Sequence, residues 1–278
     1  MASRRRFSSP SFGNPGNLSP SVKRIGVDSL IMGAFYRDAR LKIERAKKHI
    51  ADVDTAIDAL ENSCTATIEY RPDGGQSLKH EIPDLGNGLD TLSLIVGDAF
   101  HNLRAAMDFA WYATISRCLP DKLSDATKFP IRETREKVEA ALHGIEVDTR
   151  FNALFECIMS KIQPYKGGHN SAAWTLHDID ISDKHILLLG LDPTGHIRGV
   201  TVRDASGESH RGSSMPARGV EGRYIIDFER GIKVENHGKL SVTVTLQEAG
   251  IFQPVTVDSL LSSFSNFTLY TVQLLENI

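Results

Sequence analysis

The stretch VGDAFHNLRAAMDFAW, residues 96–111, decides how the rest of the chain is read. It lies inside the most apolar region of the sequence, 89–119, yet it carries Asp98, His101, Asn102, Arg104 and Asp108. At about 100° per residue, His101, Arg104 and Asp108 fall within about 60° of one another. Phe100, Leu103, Met107, Phe109 and Ala110 cover the other faces, with Asn102 and Asp98 at one edge. A helix that is apolar nearly all round is buried, and a charge buried with it must be paired. Arg104 and Asp108 stand at i,i+4 and can pair locally, and His101 stands one turn before Arg104. Gly97 points to the close approach of another helix. The same charges interrupt the apolar run, so it falls short of the ~18 uncharged residues a membrane-spanning helix needs.

Working outward, the spacing predicts a helix over about 88–118 for this stretch, ended by Pro120. An earlier helix is expected from about 30 to 61, capped by Asp28 or Ser29. Ile43, Ala46, Ile50, Val53, Ile57 and Leu60 form its apolar stripe, and Glu44, Arg45, Lys48 and Asp52 lie off it. Between the two, TATIEYRPDGGQSLKHEI reads as a β-hairpin at 65–82, turning at Pro-Asp-Gly-Gly. After Pro120, KFPI (128–131) is extended by its proline. Helices are expected at 133–143, at 149–162 from an Asp148 cap, and at about 170–187.

The pattern changes at GLDP, 190–193. From 194 to 256 the segments are short, β-branched and separated by Gly, Ser, Asp or Asn, with a turn at His237-Gly238. A last helix is expected from an Asp258 cap, burying Leu261, Phe264, Leu269, Val272 and Leu275. The expected fold is α+β: a predominantly helical bundle with a β-hairpin insertion and a C-terminal antiparallel β segment closed by a final helix. Its divisions are a basic tail at 1–27, a helical part at 28–189, and a β segment plus docking helix at 190–278.

Hydrophobic residues make up 41% and charged residues 24%, the balance of a soluble globular protein rather than a disordered one. The net charge is −3, but residues 1–27 carry five basic residues and no acid, so the remainder carries −8. An acidic body is not the footprint of a general DNA binder. The Ser-, Pro- and Gly-rich tail is expected to be disordered and lacks a secretory apolar core. Cys64, Cys118 and Cys157 are odd in number and widely spaced, which points to a reducing, cytoplasmic setting and away from a zinc knuckle or disulfide framework. There is no P-loop, dinucleotide-binding glycine motif or GxSxG elbow, so the commonest NTPase, dehydrogenase and hydrolase readings are removed.

WTLHDIDISDKH, 174–185, is a second polar concentration. As a helix it places His177, Ile181 and either Lys184 or His185 on one face, with Asp178, Asp180 and Asp183 around them. His177 and His185 are two turns apart, too far to share one ion without a bend, so no metal or cofactor is expected. The candidate site residues are therefore His101, Arg104, Asp108, His177, Asp183, Lys184 and His185.

Three motifs together resemble a family of uncharacterised bacterial proteins: Gly97-Asp98-x-x-His101-Asn102-Leu103-Arg104-x-Ala106-x-Asp108, then Gln163-Pro164-Tyr165, then Asp183-Lys184-His185. Where those proteins commonly continue the last motif with Arg, this chain has Ile186. The helical content is also similar to that of HEPN-like proteins, many of them metal-independent ribonucleases, whose signature is Arg, four to six residues, then His on a helix. Here that spacing falls at Arg203–His210 and Arg230–His237, both in the β segment, and Asn170–His177 carries Asn in place of Arg. Two readings stay open. In one, a buried His/Arg/Asp site binds an anionic ligand or RNA, a His takes a 2′-hydroxyl proton, and Arg104 or Lys184 stabilises phosphate charge. In the other, the polar stripe fixes helix register in a non-catalytic structural or interaction protein. Either long helix can pair across a homodimer.

Overall fold

A 34-residue helix, α2 (Leu85–Cys118), runs through the centre and packs against three other helices. Its buried residues cover most of its circumference, from Leu92, Val96 and Phe100 to Leu103, Met107 and Trp111, which is why its sequence lacks a simple amphipathic period. The computed structural model describes residues 35–185, 189–246 and 255–278. The expected tail, the Asp28 or Ser29 cap and the end of the 170–187 helix lie outside the described residues.

Helix α1 (Arg37–Ser63) packs along α2 through Ile43, Ala46 and Val53, and Glu44, Arg45, Lys48 and Asp52 are exposed, as its stripe requires. Just before it, Tyr36 is fully buried; its hydroxyl donates to the Leu275 carbonyl at 3.0 Å and lies 2.9 Å from Thr114 Oγ1. Three helices are thereby tied at one buried phenol. The last helix, α7 (Val257–Glu276), packs on α2, with Phe100 and Phe264 edge to face at 5.8 Å. Its cap is Thr256, whose hydroxyl accepts from the Ser259 amide at 3.3 Å; the expected cap, Asp258, sits inside the first turn.

Helix α3 (Arg135–Gly144) is capped by Thr134. The helix expected over 149–162 is broken instead. Glu146 adopts a left-handed φ of 62°, α4 covers only Val147–Arg150, and Phe151 at φ −147° separates it from α5 (Asn152–Glu156). A π-helical turn, Cys157–Ile162, then leads to Gln163 at φ 53°. Asp148 is thus inside a short helix, with its carboxylate 2.8 Å from His143 Nδ1. Burial of Val147, Leu154, Cys157 and Ile158 on one core overrides continuous helix here. Helix α6 (Ala172–His185) follows a 3-10 turn at His169–Ser171.

The hairpin β1 (Thr65–Tyr70) and β2 (Gln76–Glu81) pairs antiparallel as expected. The β segment supplies β3 (Leu191–Arg198), β4 (Thr201–Arg203), β5 (Ser209–Arg211), β6 (Met215–Pro216), β7 (Arg218–Val220), β8 (Arg223–Phe228), β9 (Lys233–Asn236) and β10 (Lys239–Leu246). Among the described residues these strands form three antiparallel sheets: β1-β2-β8-β7, β10-β3-β6 and β5-β4-β9. Sequence reading did not anticipate that the hairpin shares a sheet with the C-terminal strands. Leu78 pairs with Ile226 across β2 and β8, and Gln76 Oε1 accepts from the Val234 amide at 2.7 Å. On β10, Leu240, Val242, Val244 and Leu246 alternate into the core, and the Val242 amide donates to Glu61 Oε1 at 2.8 Å, joining that sheet to the end of α1. The fold is α+β with helices predominating. Among the described residues, no helix is long and apolar enough to cross a membrane.

Candidate functional site: a polar seam between two helices

The two polar stretches meet. Helices α2 and α6 lie side by side, and their polar residues match in descending order. Gly97 faces Asp183, His101 faces Asp180, and Arg104 faces His177, so numbers rise along α2 as they fall along α6. Spacings of three and four on both helices produce this ladder, because only such positions stack on one face.

Gly97 is where the helices come closest: a Cβ there would stand 2.6 Å from both Asp183 carboxylate oxygens. One turn along, His101 Nδ1 is 3.1 Å from Asp180 Oδ1. The two partners differ in exposure: the Asp180 side chain is 7% exposed and the His101 side chain 42%. Arg104, buried, uses its guanidinium twice. Nη1 donates to Asp108 Oδ1 at 2.6 Å, and Nε donates to His177 Nδ1 at 3.4 Å. His177 therefore accepts at Nδ1 and carries its proton on Nε2. Burial pushes the His177 pKa down, and the neighbouring Arg104 charge pushes it the same way, against Asp180, Asp108 and Asp178. Trp174 stands edge-on to the same ring, with centroids 6.2 Å apart.

The seam ends at a loop. Asp108 Oδ1 also accepts from the Phe129 amide at 2.8 Å, and the Phe129 ring sits edge to face with Trp111 at 5.8 Å. One carboxylate thus holds Arg104 and the KFPI segment together. On the other side of α2, Asn102 serves α1: it donates to the Asp98 carbonyl at 2.7 Å and accepts from Lys42 Nζ at 3.3 Å.

Of the candidate residues, His101, Arg104, Asp108, His177 and Asp183 lie along this one seam. The side chains of Lys184 and His185 lie outside the described residues. The expected face of α6 is rotated: Ile181 is 40% exposed, and Asp180 takes the place in the ladder. Asp180 was missed as a site residue although its signal was present, three residues after His177 and three before Asp183.

Neither literal Arg-to-His spacing lies on a helix. Arg203 pairs with Glu235 through Nε at 2.6 Å, and His210 Nε2 lies 2.9 Å from Asp204 Oδ2, all on an exposed sheet. The Asp204, Glu208 and His210 ligand atoms lie within 4.8 Å of one another, a spacing open to a cation. The Asp204 carboxylate is already occupied there, accepting from the Ser206 hydroxyl and the Ser206 and Glu208 amides, which hold its pKa far below the usual range. Two cavities lie in the β region, away from the seam: one at Arg198, Arg211 and Ser213, the other beside Cys64, His80 and Lys239.

Comparison of the chain with models of protein families, with curated proteins and with solved structures gives no match.

Proposed function

We propose that the α2–α6 seam fixes helix register rather than catalysing a reaction, and that the chain acts through it as a structural or interaction protein. One observation carries this reading: Arg104, the guanidinium an anion site would need, is buried and already shared between Asp108 and His177. Asp108 lies against it, and Asp180 and Asp183 stand further along the same seam, beside His101 and Gly97. A phosphate entering here would have to displace Asp108 or His177 from the guanidinium before it gained a donor. The ladder is instead suited to specificity, since a one-turn slip of α6 would leave Arg104 and Asp180 buried without these partners. The interaction half of the reading rests on the outer edge of the same helix. Leu94, His101 and Tyr112 fall within about 20° on α2 and are all partly or well exposed.

The second reading rests on His101. Its Nδ1 side is held by a buried carboxylate while the ring is substantially exposed, the arrangement of a general base oriented by an acid. Such a dyad would serve metal-independent cleavage of RNA.

The experiment is a panel of wild type, His101→Ala and Arg104→Ala, scored for cleavage of single-stranded RNA in EDTA and for thermal stability. The register reading expects no cleavage by wild type and a marked fall in Tm for Arg104→Ala. Cleavage by wild type that disappears in His101→Ala with Tm preserved would overturn it in favour of the ribonuclease.

A further inference from the structure

Away from the seam, a cysteine and a histidine share a cavity of about 220 Å³ lined by Glu61, Cys64, His80, His237, Lys239 and their neighbours. Cys64 caps the C-terminus of α1, at the entry to β1, and His80 is on β2 beside it. Cys64 Sγ lies 3.5 Å from His80 Nδ1. On the far side of the ring, His80 Nε2 lies 2.9 Å from the His237 carbonyl oxygen. A carbonyl can only accept, so Nε2 carries the proton and Nδ1 presents a lone pair to the thiol. The Thr65 carbonyl, at 3.6 Å, is the alternative acceptor for the same thiol proton.

The imidazole is therefore oriented by a third group and points its basic nitrogen at a sulfur nucleophile, the arrangement that activates cysteine elsewhere by general-base catalysis. Among the described residues the other two cysteines have no such partner: Cys157 is buried, with its thiol pushed up by burial, and no side-chain base is bonded to Cys118. Around the dyad, Glu61 is occupied by the Val242 amide, His237 Nδ1 donates to the Gly238 carbonyl, and Tyr224 contributes a buried phenol. Lys239, exposed at the rim, has no ion pair among the described residues.

We propose that Cys64 and His80 form a nucleophilic dyad that takes an acyl group from a small activated ester or thioester bearing an anionic end, with Lys239 meeting that end. Sγ bonds to the acyl carbon while His80 Nδ1 takes the thiol proton. The bond from that carbon to the leaving oxygen or sulfur then breaks, and the proton on Nδ1 passes to it. The products are an S-acylated Cys64 and a free alcohol or thiol. The His237 carbonyl stabilises the imidazolium that forms between the two transfers. Burial raises the pKa of the Cys64 thiol and lowers that of His80, so the resting pair is neutral thiol and neutral imidazole. Such a pair reacts through proton transfer at the moment of attack, not through a standing thiolate. This site stands independently of the role of the α2–α6 seam.

The test uses p-nitrophenyl acetate and its anionic analogue, mono-p-nitrophenyl succinate, on the full chain, with peptide mass mapping of all three cysteines. Acylation is expected at Cys64 at least about tenfold faster than at Cys118 or Cys157, with loss of that adduct in Cys64→Ser and an about tenfold or greater slowing in His80→Gln. Lys239→Gln should slow the succinate probe and leave the acetate probe unchanged. Because His80→Gln can disturb the His237 turn, the wild-type pH profile gives a second measure. With His80 as base the rate levels off above pH 7, whereas an unassisted thiol gains about tenfold per pH unit up to its own raised pKa. Equal labelling of the three cysteines, or a Cys64 rate still climbing tenfold per unit above pH 7, overturns the proposal.

Discussion

His101 and Asp180 meet across the α2–α6 seam, Nδ1 to Oδ1 at 3.1 Å, with the carboxylate buried and the imidazole half in solvent. This contact is the middle rung of a ladder whose other rungs are Gly97 against Asp183 and Arg104 against His177. Because the imidazole is well exposed, its bond is screened, and a double-mutant cycle of His101→Ala and Asp180→Ala should give a coupling of only about 0.5–1.5 kcal/mol. Urea denaturation of the four proteins measures it; a coupling at zero would remove the rung.

Arg104 is the costlier residue. Arg104→Ala leaves Asp108 with only the Phe129 amide and His177 Nδ1 without a donor. Removing one partner of a buried pair costs about 3–5 kcal/mol, and the partial exposure of Asp108 lowers the expectation to about 2–3 kcal/mol. Arg104→Lys should recover less than half of that loss, because an ammonium lacks the fork that reaches Asp108 and His177 together. Chemical denaturation of both variants checks the order, Ala worse than Lys and both worse than wild type.

At Gly97 two effects compete. Alanine gains about 1 kcal/mol of helix propensity over glycine, while a Cβ 2.6 Å from the Asp183 oxygens demands a shift that costs about 1–3 kcal/mol. Gly97→Ala should therefore lower Tm in the wild-type chain and raise it in an Asp183→Ala background. That reversal of sign is the measurement; the same sign in both backgrounds contradicts the close approach.

The folded pKa of His177 lies below its ordinary value, so on acidification the unfolded chain takes up the proton first. Stability from this residue is complete above about pH 6.5 and declines as pH falls toward the folded pKa, by at most about 1.4 kcal/mol per unit. His80 is shifted in the same direction by burial and adds to the slope. His177→Gln, whose amide oxygen can still accept from Arg104, should flatten the loss of Tm between pH 7 and 5 without abolishing it. Differential scanning calorimetry across that range would show an unchanged slope if His177 is not held neutral.

Much of the helical part was legible in the sequence because its signals are local. The stripe of Ile43, Ala46 and Val53 and the i,i+4 pairing of Arg104 with Asp108 follow from 3.6-residue periodicity alone. The Asn236–Gly238 turn follows likewise from the need for positive φ at Gly238, observed at +66°. The break at Phe151 was not legible, because packing of Leu154 and Ile158 outweighs weak helix propensity there. Nor was the Thr256 cap, since Asp258 and Thr256 carry equal capping chemistry and only the backbone conformation chooses between them.

By itself the sequence determined that a polar stripe lies on a buried helix and that Arg104 can neutralise Asp108 on that helix. Only the tertiary structure decided what the stripe faces. Asp180, not Ile181, turns toward His101 because the rotation of α6 about its axis is set by packing against α2 and α7, a long-range choice that no local spacing encodes. The same holds for Cys64 and His80, sixteen residues apart, which become neighbours through hairpin pairing, and for the His237 carbonyl that orients them, brought from a distant strand end.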